Sequence, residues 1–154
     1  MNMQRFLRLC EEIEQVVSQI YRHWQHVFAA DAPLSALWEK LADDELAHVR
    51  QVQLAQRVAG EGVFAGNNTT MESLEKALAT AKQLLKDVKV KNIPAAQALR
   101  AAIRIEETFS KAHLLNATNI DDASMKQMFK SLARADEEHV ATLKNYCDGY
   151  FGEK

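Results

Sequence analysis

The sequence predicts an all-α protein, a four-helix bundle made of two helical hairpins joined by one long crossover. The first observation is an internal repeat, since residues 13–21 recur at 105–113 and residues 37–49 recur at 128–140. The second is that 154 residues include only five Gly and two Pro, so long helices can run without a break. The third is that apolar side chains return at steps of three and four residues.

The first hairpin is predicted from two such stripes of apolar residues along a helix face, which we call seams. Helix one is expected to span residues 4–29, with apolar positions at Leu7, Cys10, Val17, Tyr21 and Trp24. Glu14 fills the one gap in this series, so a carboxylate lies on the face that should be apolar. Helix two follows a turn at residues 31–33 and ends before Gly60. Its seam contains Leu34, Leu37 or Trp38, Leu41, Glu45, His48, Val52 and Ala55.

The second hairpin follows a long connection. Residues 60–92 are expected to form the crossover, with a short accessory helix and no chemistry of its own. That helix is marked by Leu74, Leu78, Ala81, Leu85 and Val88. Helix three opens near Pro94, and helix four follows a turn at residues 121–124 and closes at Gly149. Their seams contain Leu99, Ala102, Glu106, Phe109 and His113, then Met125, Met128 or Phe129, Leu132, Asp136, His139, Leu143 and Tyr146. Residues 1–154 are thus predicted to be a single domain.

Six ionisable residues interrupt these apolar seams: Glu14, Glu45, His48, Glu106, Asp136 and His139. In each hairpin, one Glu on the first helix precedes a carboxylate-x-x-His pair on the second. A spacing of three residues places the carboxylate and the imidazole on one helical face, where both can bind the same ion. A Glu from each of two helices and such a pair from each of the other two is the ligand pattern of di-iron and di-manganese bundles.

The electrostatics of the core favour bound cations. An unpaired buried carboxylate costs several kcal/mol. Four of them could not stay bare and ionised in a protein whose net stability is roughly 5–15 kcal/mol. Two divalent cations would balance four carboxylates and leave two neutral imidazoles, and the seams offer no Lys or Arg instead. Mixed oxygen and nitrogen ligands favour Fe(II), Mn(II) or Zn(II) over Ca(II) or sulfur-bound copper.

Composition excludes several other classes. The net charge is −2 with both signs mixed along the chain, which gives no case for nucleic acid or an anionic membrane. Cys10 and Cys147 form no Cys-x-x-Cys motif, so a zinc ribbon or a rubredoxin-type iron centre cannot be built. No apolar run approaches the roughly 20 residues of a membrane span, and no secretory leader is recognisable. We therefore expect a cytoplasmic protein.

With these motifs in order, the chain resembles the rubrerythrin-like branch of the ferritin-like superfamily. The resemblance rests on Ile13-Glu14 with Tyr21, residues 45–48, Ile105-Glu106 with His113, and residues 136–139. It implies a left-handed four-helix bundle with a carboxylate-bridged di-iron site, in a dimer or larger assembly. It also implies reaction with hydrogen peroxide, or with dioxygen while iron is oxidised. Glu14 and Glu106 would bridge the metals, and His48 and His139 would be nitrogen ligands. Glu45 and Asp136 would be terminal or bridging ligands.

The sequence departs from the family pattern at four points. Asp136 stands where the family has Glu, and it is shorter by one methylene. His113 stands where Tyr is common, and Phe109 replaces the extra carboxylate that rubrerythrins carry three residues after the helix-three Glu. The electron-donating rubredoxin module is absent, so a peroxidase built from this chain needs a separate reductant.

Three functions remain open on this basis. The first is a di-iron oxidoreductase, and the second is a non-catalytic zinc or manganese site with a storage or structural role. The third is an interaction protein whose metal site has decayed. Tyr21 and His113 occupy equivalent positions, and each is either a core aromatic residue or a second-layer donor to a metal-bound carboxylate. The side chains of Glu11, Glu12, His23, His26, Asp43, Asp44, Glu137 and Glu138 are expected to face solvent.

Overall fold

Five helices account for the regular structure of the described residues, and no strand occurs among them. The computed structural model describes residues 3–59 and 68–152. The helices are α1 (Met3–Val27), α2 (Ala32–Ala59), α3 (Asn68–Val90), α4 (Ala95–Thr118) and α5 (Ala123–Gly152). The predicted all-α class is confirmed. The chain divides into two compact units, a first unit of Met1–Asn92 and a second unit of Ile93–Lys154.

The first unit contains the predicted α1–α2 hairpin. α2 starts where the Asp31 side chain accepts a hydrogen bond from the Leu34 backbone N–H at 3.2 Å, which satisfies a free donor of the first turn. Ser35 Oγ donates to the carbonyl of Gln25 at 2.9 Å and ties the start of α2 to the end of α1. The large side chains Trp24, Trp38 and Phe6 are almost fully buried in this unit.

The accessory helix predicted within the crossover is longer than expected. α3 has 23 residues, and it packs on α1. Leu74, Leu78, Ala81 and Val88 are buried as predicted, whereas Leu85 is only half-buried. Between Met71 and Val90 the chain has no Gly or Pro and is rich in Ala, Leu and Lys, so nothing shortens the helix. Residues 60–67 of the predicted connection lie outside the described residues.

The second unit is the α4–α5 hairpin. Pro94 is the N-cap of α4, and Asp122 caps α5 by accepting the Met125 backbone N–H at 2.9 Å. The expected helix end at Gly149 is wrong, because α5 continues to Gly152. A single Gly inside a helix costs only about 1 kcal/mol relative to Ala and does not by itself terminate it. Phe109 is half-buried, and its neighbour Ser110 takes the buried position.

The lengths and compositions of the helices also bear on membranes. Within residues 3–59 and 68–152, none of the helices combines the length and the apolar character needed to cross a bilayer. The polar faces of the helices agree with this result. Lys40 and Asp44, for example, form an exposed ion pair on α2 at 2.8 Å.

Candidate metal centre

The first unit gathers three predicted ligands into what we call the first cluster: Glu14 on α1, and Glu45 and His48 on α2. All three are buried, with exposures of 4%, 2% and 5%. His48 Nδ1 lies 3.5 Å from Glu14 Oε2 and 3.4 Å from Glu45 Oε2. One ligand atom from each of the three residues lies within 4.8 Å of the others, which is the spacing that a shared ion requires.

The second unit repeats this arrangement in the second cluster: Glu106 on α4, and Asp136 and His139 on α5. Their side chains are also buried, with Glu106 and Asp136 each 1% exposed. His139 Nδ1 lies 3.4 Å from Glu106 Oε1, and one potential ligand atom of each residue lies within 4.8 Å of the others. Each unit therefore brings together two carboxylates and one imidazole away from solvent.

The helical register explains why these polar groups point inward. Glu45 and His48 are three residues apart, and buried Leu41 and Val52 flank them on the same face of α2. Asp136 and His139 are placed in the same way on α5, between buried Leu132 and Leu143. Burial of these apolar neighbours fixes the rotation of each helix and carries the ionisable residues inward with it.

Two serines extend the repeat beyond the predicted ligands. Ser18 Oγ donates to the carbonyl of Ala42 at 3.0 Å, and Ser110 Oγ donates to the carbonyl of Ala133 at 3.4 Å. The four residues occupy equivalent positions in the two hairpins, and both serines are buried. Sequence reasoning missed them, although the same residue type at the same place in both copies was a usable signal. Each bond fixes the packing of two helices close to a cluster.

Tyr21 and His113 are equivalent in sequence but have different surroundings. His113 Nδ1 lies 2.7 Å from Asp136 Oδ2, and both side chains are buried. The ring of Tyr21 is part of an aromatic group, stacked on Trp38 at 5.6 Å and near Trp24 at 6.1 Å. His113 is thus in direct contact with a predicted ligand.

The donor set fits a divalent transition metal. Each cluster offers carboxylate oxygen and imidazole nitrogen, which are ligands that Fe(II), Mn(II) and Zn(II) accept in proteins. Two ionised carboxylates beside one imidazole would be costly in a buried place, and one dication would balance them. These buried carboxylate and histidine clusters could therefore hold metal ions.

Most of the polar residues expected on the surface are there. His26, Asp43, Glu137 and Glu138 are exposed, whereas Asp44 is half-buried. His23 is also half-buried, and its Nε2 lies 3.0 Å from the carbonyl of Val88, so it links α1 to α3. Glu11, which the sequence pattern placed in solvent, is half-buried too. Its carboxylate accepts hydrogen bonds from the Gln53 and Gln56 side chains, at 2.7 Å each.

Both cysteines are free thiols. Burial, and then the nearby Glu14 carboxylate, hold the pKa of Cys10 far above its ordinary value. Burial, and then Asp148, raise the pKa of the half-buried Cys147 as well. Neither thiol is therefore set up as a nucleophile or as a thiolate ligand.

Comparison with known proteins gives no relative to set beside this chain. No protein-family model, no curated protein and no solved structure matches it.

Proposed function

We propose that the chain binds two metal ions, most simply iron, and acts as a di-iron oxidoreductase of the rubrerythrin-like type. The proposal joins the first and second clusters in one dinuclear centre within a ferritin-like four-helix bundle. Glu14 and Glu106 would bridge the ions, Glu45 and Asp136 would complete the oxygen ligands, and His48 and His139 would supply nitrogen. A cytoplasmic location, a homodimer or larger homo-oligomer and a separate electron donor belong to the same proposal.

The strongest support for this function is that both clusters are buried and have the same composition of ligand groups. Two carboxylates and one imidazole converge, buried, at equivalent positions of both units. The matching distances, 3.5 Å from His48 to Glu14 and 3.4 Å from His139 to Glu106, support a common purpose for the two clusters. A buried group of like charges lowers stability unless a partner compensates it, so its presence in both copies favours a ligand.

The expected chemistry is a two-electron reduction. Two Fe(II) ions would supply the two electrons that, with two protons, convert one hydrogen peroxide into two water molecules. The chain's own residues would hold the ligands in fixed positions through the helical register and the Ser18 and Ser110 hydrogen bonds. Burial of both clusters would keep bulk water from competing with the ligands.

The test is anaerobic loading of the full-length protein with Fe(II), followed by addition of hydrogen peroxide. We expect two bound Fe(II) per chain and oxidation of two Fe(II) per peroxide, much faster than for free iron. E106Q should lose this stoichiometry, whereas E138Q, an exposed Glu on α5, should keep it. Oxidation that does not saturate with iron, at the rate of free iron, would refute the proposal.

A second function is favoured by the His113–Asp136 contact. Asp136 is shorter than Glu, and its Oδ2 lies 2.7 Å from His113 Nδ1. The carboxylate therefore has less freedom to change the way in which it binds a metal during turnover. That property suits a static Zn(II) or Mn(II) site with a storage or structural role. Elemental analysis of protein purified without added metal separates the two functions, because stoichiometric zinc favours the static site and iron favours the redox enzyme.

A further inference from the structure

The two hairpins differ at two of the equivalent positions around the clusters, and in the second unit the two differing residues are in contact. The hairpins share Glu14 with Glu106, Ser18 with Ser110 and His48 with His139. They differ where Glu45 corresponds to Asp136, and where Tyr21 corresponds to His113. In the second unit these two altered residues are in contact, His113 Nδ1 to Asp136 Oδ2 at 2.7 Å. The change in one residue is therefore matched by a change in its neighbour.

We propose that His113 is a positioning residue for Asp136, and that the second cluster needs it to bind its ion. The proposal rests on the metal binding proposed above. Binding at the second cluster depends on His113, whereas binding at the first cluster does not.

The first reason is the reach of the side chain. Asp136 has one methylene fewer than Glu45, so its carboxylate stays closer to the α5 backbone. A hydrogen bond from a neighbouring helix can hold such a carboxylate in a ligating orientation, and losing a partner of this kind typically weakens metal binding. His113 can act in this way because it is 4% exposed and its ring packs against Phe129 at a centroid distance of 6.0 Å.

The second reason is the number of oxygens that remain for an ion. When Nδ1 donates its proton to Oδ2, one lone pair of Asp136 is used and the carboxylate binds a metal most easily through Oδ1 alone. The contact with His113 therefore determines which oxygen of Asp136 an ion would meet.

The experiment is a Co(II) titration of the metal-free, full-length protein, followed by visible absorption and by calorimetry. We expect two steps in the wild type: a first step at the first cluster, which H48Q removes, and a second step at the second cluster, which D136N removes. H113Q should weaken the second step about 10–100-fold and leave the first step unchanged. H113N should restore the second step, because the Asn amide nitrogen takes the place of Nδ1 and the Gln amide nitrogen does not. Y21F is the matched change in the first hairpin and should leave the second step unchanged.

Each outcome either supports or overturns the role proposed for His113. A second step that H113N preserves and H113Q weakens supports the positioning role, since a purely structural effect would lower both steps together. Joint weakening of both steps, or no change in H113Q, overturns the inference while leaving metal binding intact. A wild-type protein that binds no Co(II) overturns the proposed function itself.

Discussion

At the scale of single residues, Cys10 is the thiol whose pKa is raised most by folding. It lies one helical turn before Glu14, is 4% exposed, and has a pKa held far above the ordinary value of 9.0, first by burial and then by the Glu14 charge. The folded chain therefore keeps the Cys10 proton at a pH where the unfolded chain has lost it. Its contribution to stability is complete below about pH 9 and is lost as the pH rises further.

This gives a pH-dependent prediction for C10A. Above about pH 9 the wild-type free energy of unfolding should fall more steeply than that of C10A, by up to about 1.4 kcal/mol per pH unit. Urea unfolding at pH 8, 9 and 10 measures the difference in slope. C147A is the control, because Cys147 is half-buried and should change the slope less. Parallel pH profiles for wild type and C10A would contradict the prediction.

The residues of the two clusters could be read from sequence because helical spacing is regular. All six predicted ligands are buried, and each unit brings three of them together. The contact between His113 and Asp136 could not be read in this way, because it depends on which rotamers two neighbouring helices allow. Glu11 was misplaced for a related reason, since its two glutamine partners lie 42 and 45 residues away.

At the scale of elements, Glu11 links α1 to α2. Its carboxylate accepts hydrogen bonds from the Gln53 and Gln56 amides, and a charged acceptor makes these stronger than neutral bonds. We predict that E11A lowers the free energy of unfolding by about 1–3 kcal/mol. Urea denaturation measures the change.

The adjacent residue supplies the control for that prediction. Glu12 is exposed, and its ion pair with Lys82 is 3.7 Å long, so E12A should change stability by no more than about 0.5 kcal/mol. Equal losses in E11A and E12A would show that helix propensity or net charge, and not the link between α1 and α2, determines the effect.

The C-terminal part of α5 allows a stabilising change. Gly149 lies inside the helix, and a Cβ atom added there would meet nothing within 4 Å. G149A should therefore raise the free energy of unfolding by about 0.5–1 kcal/mol, because Ala loses less conformational freedom on folding than Gly. Thermal unfolding of the two proteins measures the gain. A lower melting temperature in G149A would mean that this part of α5 does not stay helical in solution.

Helix positions were predictable to within a few residues, because the apolar period and the turn residues act locally. The length of α3 and the end of α5 were not, because each depends on weak propensities summed over many positions. Gly149 illustrates the difficulty: a Gly ends a helix where the backbone turns left-handed, and is tolerated where the helix continues. The sequence shows a Gly in both cases and therefore does not distinguish them.

At the scale of the whole molecule, the repeat indicates a hairpin used twice, and each unit contains one copy with its cluster. The all-α class and both hairpins follow from the sequence, because their contacts are between helices adjacent in the chain. How two such units pack cannot be derived from helical periodicity, since an apolar face shows only that it is buried and not by what. The four-helix bundle therefore stays a prediction, to be tested together with metal binding.

The metal should stabilise the entire chain. A ligand that binds only the folded state adds about 2.7 kcal/mol per site when its free concentration is about 100 times its dissociation constant. For two Mn(II) ions in a chain of this size, we predict a melting temperature about 10–20 °C above that of the chelated protein. H48Q should lose about half of this increase, because the second cluster remains complete. E39Q, which removes a charge from an exposed position on α2, should keep the increase. Equal melting temperatures with Mn(II) and with chelator would show that the buried carboxylates are compensated without metal.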